Sequence, residues 1–256
     1  MKLDQVAVQL YTLREFCKTE SDLAVTLAKV KEIGYQAAQI SGIGADIAPA
    51  KVRQICTDHG IINCATHEKS DLIRKDPLAA VERVKASGAS LSAYPYPAGV
   101  DFSDPASVKA MISDLGEAAR IFAENDCRLA YHNHAIEFVR MGEETILDHI
   151  LRATGDQLGM ELDTYWVQYG GADPVAWCTK ATGRLPALHL KDYSFTTENK
   201  PAFAEVGHGN LDFAKIIPAA EAAGCKWFIV EQDICPGDPF DSVRKSFEYI
   251  KANLCS

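Results

Sequence analysis

Eight apolar, strand-like runs alternate with helix-patterned segments along this chain, and that alternation leaves it few ways to fold. The runs open at AVQLYTL and YQAAQISG, pass through INCATHE, LSAYPYP, RLAYHNH, LGMELDTYW and ALHLKDY, and close at WFIVEQD. Between them stand amphipathic segments such as DLAVTLAKVKEIG, PVAWCTKATG and SVRKSFEYIKANL, and a long helix is predicted from Asp104 to about Asn125. Strand and helix in strict alternation imply a parallel sheet covered by helices, because each crossover must carry the chain back to the same end of the sheet. At 256 residues the repeat matches a closed (β/α)8 TIM barrel, α/β in class, as a single domain over residues 1–256. An open doubly wound sheet is the structural alternative. Gly34, Gly60, Gly88, Gly155, Gly183 and Gly224 each follow a periodic segment, where a left-handed helix stop is wanted.

Hydrophobic residues make up 47% of the chain, ample for a large core, and the net charge of −9 comes with no run of Lys or Arg. A nucleic-acid partner is therefore disfavoured, and a small neutral or weakly charged ligand fits better. The eight cysteines form no C-x-x-C pair, and no charged N-terminal region leads into an apolar leader stretch. They read as reduced thiols in a cytoplasmic protein. No segment reaches the 18 or so apolar residues that a membrane helix needs.

In a barrel of this kind, side chains at strand C-termini converge on one face, so polar residues ending an apolar run are candidate ligands. Glu137, Asp163, His189 and Glu231 stand at or just past the ends of the last four runs, separated by 26, 26 and 42 residues, enough for a helix between each pair. Three carboxylates and one imidazole form a hard donor set that suits Mn²⁺ first, with Mg²⁺, Co²⁺ or Zn²⁺ as alternatives. Each member has a plainer reading. Asp163 could cap the following segment, and His189 could be a satisfied core histidine. Glu137 lies five residues past His132, so His132 or His134 could replace it. Glu161 alternates with Asp163 and should share its face. His67, Tyr94 and Tyr96 are candidates for the substrate wall.

On these residues the chain resembles the sugar phosphate isomerase/epimerase group of the xylose-isomerase-like barrel superfamily, which is related to ketose 3-epimerases and inosose dehydratases. The likeness rests on VQLYTLR, GYQAAQISG, YHNHAIEF, ELDTYW, LHLKDY, VGHGNLDF and VEQD. It implies a (β/α)8 barrel whose divalent metal is held by Glu137, Asp163, His189 and Glu231, with Glu137 and Glu231 also exchanging protons with substrate carbon. Three positions depart from the epimerase pattern. His132-Asn133-His134 ends the fifth strand where a glutamate is usual, Trp166 stands where a histidine is common, and His208 replaces the glutamate of a G-E-G turn. The fifth-strand wording is closer to the inosose-dehydratase and keto-glycoside-processing members.

The expected chemistry is isomerisation or epimerisation of a keto-sugar or polyol, by proton abstraction next to a carbonyl through a metal-held enediolate. A lyase or dehydratase acting on inososes or 3-keto-glycosides is the alternative. Glu231 is the expected base, with Glu137 or His134 as the opposing acid. His67, Tyr94, His132, Asn133, Tyr165, Trp166, Lys191 and His208 are the expected substrate contacts. A non-catalytic sugar-binding barrel and an abasic-site endonuclease are weaker rivals, the second opposed by the net charge of −9. Neither nucleic acid nor membrane is an expected partner, and a homo-oligomer is allowed but not required.

Overall fold

The computed structural model describes residues 1–255. Eight parallel strands close a barrel: β1 (Val6–Gln9), β2 (Ala37–Ile40), β3 (Ile62–His67), β4 (Leu91–Tyr94), β5 (Arg128–His132), β6 (Gly159–Asp163), β7 (Ala187–Leu190) and β8 (Trp227–Val230). Neighbours in sequence are neighbours in the barrel, and β1 pairs with β8 in the register Val6 to Phe228 to complete the ring. The expected α/β barrel is the observed one.

Side-chain alternation divides the core in two. Val6, Val8, Leu129, Tyr131, Met160, Leu162, Leu188, Leu190, Phe228 and Val230 point outward and pack under the helices in one continuous cluster. Ala7, Ala37, Ala65, Leu91, Ala93, Ala130, Ala187 and Ile229 have the opposite parity and form a separate inner cluster. The inner set is mostly alanine. A barrel this small has little room inside, and small side chains in its lower layers leave the upper layer to larger polar ones.

The helices that cover the barrel include α1 (Glu20–Ile33), α2 (Pro49–Asp58), α3 (Ser70–Lys75), α4 (Pro77–Ala86), α5 (Pro105–Glu124), α6 (Ile146–Ala153), α7 (Thr164–Tyr169), α8 (Pro174–Lys180), α9 (Phe213–Ala222) and α10 (Pro239–Asn253). Local chemistry sets their ends. Thr19 and Asp22 form a reciprocal capping box on α1, and Asp104, followed by Pro105, accepts from the N–H of Ala106 at the start of α5. Gly34 ends α1 at φ 125°, and a Cβ there would lie 2.5 Å from Cε1 of Phe247. Tyr35 then packs 4.7 Å from the Phe247 ring and donates its hydroxyl to Val243 O at 2.9 Å, tying α1 to α10 where the ring closes.

Two short hairpins that the sequence pattern did not announce sit in the loops at the strand C-termini. Arg140–Met141 pairs with Glu144–Thr145, and Asp192–Phe195 pairs with Pro201–Ala204. The second lays Tyr193 and Phe203 against Tyr165, with ring centroids 5.2 and 4.3 Å away, and so covers α7. No described helix is long and apolar enough to cross a membrane, and all eight cysteines are free.

Candidate metal centre

Counting two residues beyond an inward-facing small side chain reaches a polar one on most strands: Ala7 to Gln9, Ala37 to Gln39, Ala65 to His67, Ala130 to His132 and Ala187 to His189. Ile229 leads to Glu231 in the same way, and β6 contributes Glu161 and Asp163 in succession. These side chains form the upper layer of the barrel, and all but His67 are buried to 5% exposure or less.

Glu161 is the hub of the lower part of that layer. Its Oε1 accepts from Gln39 Nε2 at 2.7 Å, and its Oε2 lies 2.6 Å from His67 Nε2 and 3.3 Å from His189 Nε2. Burial raises the Glu161 carboxyl, but His189 and His67 outweigh it and keep the group ionised. Gln39 Oε1 accepts from Gln9 Nε2 at 2.9 Å and faces His189 Nε2 at 2.7 Å, so Nε2 of His189 carries a proton. His189 Nδ1 then points the other way, to Glu231 Oε2 at 2.8 Å and Asp163 Oδ2 at 3.8 Å. Burial opposes a charge on His189, yet Glu161 and Glu231 carry its pKa up to about 10, so without a cation Nδ1 is protonated too and donates to Glu231, and a bound ion would displace that proton.

Two sets of four side chains bring ligand atoms within 4.8 Å of one another: His132, Asp163, His189 and Glu231, and His67, His132, Glu161 and His189. Their hydrogen bonding separates them. In the second set both Glu161 oxygens are already engaged. In the first, Asp163 Oδ2 is buried without a hydrogen bond, its near neighbour being the Lys191 ammonium at 3.3 Å; His132, which belongs to both sets, has its buried Nδ1 unbonded 3.7 Å from Glu161 Oε2. A buried carboxylate oxygen and an imidazole nitrogen that make no hydrogen bond, beside two further donors, are what a cation site needs, and such groups are costly otherwise. The donor set therefore fits a divalent ion.

Asp163 satisfies both readings that its position allows. Its Oδ1 accepts from Trp166 N at 3.0 Å and caps α7, while Oδ2 faces the cluster. Asn133 Oδ1 accepts from Asp163 N at 3.0 Å and fixes the end of β6 from β5. Burial, reinforced by Glu231, lifts the Asp163 carboxyl to about 7 against the pull of Lys191.

Lys191, 1% exposed, supplies the positive charge. Its Nζ lies 2.8 Å from Asp233 Oδ1, 3.1 Å from Glu231 Oε2 and 3.3 Å from Asp163 Oδ2, and it stands over the faces of Trp166 and Phe203. Burial works against its charge, but the three carboxylates hold its pKa above the usual lysine range. Glu231 is pushed up by burial and pulled further down by Lys191 and His189, so it is ionised. Its contacts to both run through Oε2.

Above the cluster opens a cleft of about 360 Å³, lined by Tyr11, Arg14, Ser41, His67, Pro95, Tyr96, His132, His134, Lys191, Glu231, Asp233 and Ile234. His134 stands between Tyr96 and Trp166, with ring centroids 5.1 and 5.5 Å away. Burial, then Lys191, holds its pKa down at about 3, so it is a neutral imidazole. Arg14 lies in the 3₁₀-helical segment Leu10–Phe16 after β1 and Ser41 in the loop after β2, beyond the strand periodicity that would mark them.

The structure moves several expected residues. Glu137 does not join the cluster. It sits in a single turn at Ile136–Phe138, fully buried, where its Oε1 accepts from Tyr131 Oη at 2.9 Å and its Oε2 from His134 N at 2.7 Å. Tyr131 points out of the barrel, so its partner Glu137 is drawn away from the mouth, and His132 supplies the fifth-strand donor instead. Tyr94 shares the outward parity and packs 5.6 Å from the Tyr131 ring, away from the cleft. Tyr165 packs under the second hairpin, and His208 stands 6.1 Å from the Tyr249 ring on α10, outside the cleft. Asn133 is spent on Asp163 N, and Trp166 backs His134 and Lys191.

A family model for the xylose isomerase-like TIM barrel matches residues 27–253. An inosose dehydratase of Geobacillus thermodenitrificans is 27% identical over 159 residues, covering 55% of this chain and 53% of that protein. The chain thus spans about half the length of the curated relatives it matches. A sugar phosphate isomerase/epimerase from Parabacteroides distasonis superimposes with a TM-score of 0.80 at 22% identity, over 99% of this chain and 96% of its own. An L-ribulose 3-epimerase superimposes at 0.73 with 16% identity, over 99% and 95%. At those identities the two structures speak for the fold alone.

Proposed function

The chain belongs to the xylose isomerase-like TIM barrel family, and from that premise we propose that it is a divalent-metal-dependent enzyme acting on a keto-sugar or keto-polyol by removing a proton next to a carbonyl. One observation carries the reading: four buried donors, His132, Asp163, His189 and Glu231, converge from four successive strands, with Asp163 Oδ2 making no hydrogen bond among them. Manganese suits the two-oxygen, two-nitrogen set, and Mg²⁺, Co²⁺ and Zn²⁺ are the competitors. Bound there, the ion supplies positive charge opposite negative charge developing on substrate oxygens.

The chain's own groups supply the rest. Glu231 is ionised and is engaged by His189 and Lys191 at Oε2, which leaves Oε1 to accept the carbon-bound proton. The Lys191 ammonium donates to a substrate oxygen on the Trp166 side, and the neutral His134 faces the ligand from the β5 loop. Gln39 and Glu161 hold His189 with its Nδ1 toward the cluster. Manganese titration followed by calorimetry tests the site. His132→Ala and Asp163→Asn should each weaken binding by more than the roughly 10- to 100-fold expected for outer partners; unchanged affinity in both would dismiss this donor set.

Elimination is the outcome the arrangement favours over inversion at carbon. With Glu137 turned to Tyr131, a single glutamate faces the cleft, and inversion needs a second proton-bearing group on the opposite face. Elimination needs only one. Glu231 takes the proton and returns it to the departing β-hydroxyl, which leaves as water. Isomerisation or epimerisation is the second reading, with His134 as the other proton carrier.

A further inference from the structure

The cleft changes character from floor to rim. Three large apolar side chains, Tyr11 at 41% exposure, Tyr96 at 53% and Ile234 at 69%, stand on the loops after β1, β4 and β8, and all three line the cleft above the metal donors. Isolated exposed hydrophobics are ordinary on a protein surface, but convergence of three around one polar pocket is not. We propose that the substrate is a sugar carrying a ring-sized apolar substituent, with its oxygens on the cluster and the substituent on Tyr11, Tyr96 and Ile234. The inference rests on the sugar reading above and adds the substituent.

The charges in the cleft argue against the other common sugar substituent, a phosphate. Two cations line it, alongside the carboxylates of Glu231 and Asp233. Arg14 lies 4.4 Å over the Tyr11 ring and donates to Tyr11 O at 2.8 Å and Asp233 O at 3.1 Å. Lys191 is shared among Asp163, Glu231 and Asp233. Lys191 is thus offset by carboxylates, whereas Arg14 is held by backbone carbonyls and keeps its charge, so a dianion would meet one guanidinium against the repulsion of Glu231 and Asp233. An apolar ring avoids that cost, covers exposed surface on Tyr96 and Ile234, and leaves the polar floor to the sugar.

Calorimetry on the full chain with manganese present compares phenyl β-D-glucoside, methyl β-D-glucoside and glucose 6-phosphate, which share a sugar ring and differ in what it carries. The phenyl compound should bind about tenfold more tightly than the methyl one, in keeping with partial burial of one aromatic ring. Tyr96→Ala combined with Ile234→Ser should shrink that preference to about twofold or less. Equal affinities, no detectable binding of either glucoside, or tightest binding of glucose 6-phosphate would each overturn the proposal. So would a change of oligomeric state in the double variant by gel filtration, since the rim would then be a contact between copies of the chain. Deuterium exchange into a keto-sugar is measured alongside. Exchange without a phenyl preference rejects the substituent alone, whereas loss of exchange rejects the carbon-acid reading beneath it.

Discussion

Replacing Glu137 by Gln should flatten part of the pH dependence of stability. The carboxyl is fully buried, and burial raises its pKa from 4.5 to about 7, against the lowering effect of Tyr131 and His134 N. Between pH 4.5 and 7 the folded chain therefore holds a proton that the unfolded chain has released, so stability falls as pH rises through that window. The displacement from 4.5 to about 7 corresponds to about 3 kcal/mol, fully lost above pH 7. Gln fits the same position without titrating. Its Oε1 accepts from His134 N, and its Nε2 donates to Tyr131 Oη, as a protonated glutamic acid would. Urea denaturation of both proteins at pH 5, 6, 7 and 8 measures the difference. Wild type should lose about 2.5 kcal/mol more than Glu137→Gln between pH 5 and pH 8. Parallel curves for the two proteins would refute the argument, and would mean that Glu137 is ionised in the fold across the whole range.

Asp192 should anchor the loop that carries His208, because its carboxylate accepts from the N–H groups of Tyr193, Gly207, Gly209 and Leu211 at 2.8 to 3.2 Å. Asp192→Ala should cost about 3–5 kcal/mol in urea denaturation and Asp192→Asn about half that, since the amide keeps one accepting oxygen. Gly209→Ala, whose Cβ would fall 2.4 Å from Asp192 Oδ1, should lower the melting temperature without altering the cleft. Lys191→Met leaves Asp163, Glu231 and Asp233 facing one another and should destabilise the metal-free protein by about 3–5 kcal/mol. Added manganese should recover much of that loss in calorimetric melts, because a cation again sits among the carboxylates.

The barrel was legible because it is a repeat. Each strand needs its own apolar run and each crossover its own amphipathic helix, so the pattern states the topology eight times. The glycine stops were legible for the same local reason: Gly34, Gly60, Gly88, Gly155, Gly183 and Gly224 all have positive φ, from 54° to 125°. The convergence of Asp163, His189 and Glu231 was legible because each ends an apolar run. Glu137 misled because it lies past the end of β5, where alternation stops and a turn decides the direction. Parity held the better signal. Ala130 faces inward, so His132 must as well, and Tyr131 must face out, taking Glu137 with it. Arg14, in the 3₁₀ segment after β1, and Ser41, in the loop after β2, had no such marker, since their place in the cleft depends on tertiary packing beyond the strand ends. The hairpin over Tyr165 was missed because its strands are short and lie within a single connection.

The most direct test of the account is solvent exchange at carbon. The manganese-loaded protein is incubated in D₂O with a panel of ketohexoses, inososes and 3-keto-glycosides and followed by NMR, with Glu231→Gln in parallel. Deuterium should enter the carbon next to the carbonyl, or an unsaturated product should appear with loss of water or of the substituent, and both signals should vanish in Glu231→Gln. Exchange that proceeds undiminished in Glu231→Gln, or a metal-loaded protein that binds these sugars and leaves every C–H bond intact, would contradict it.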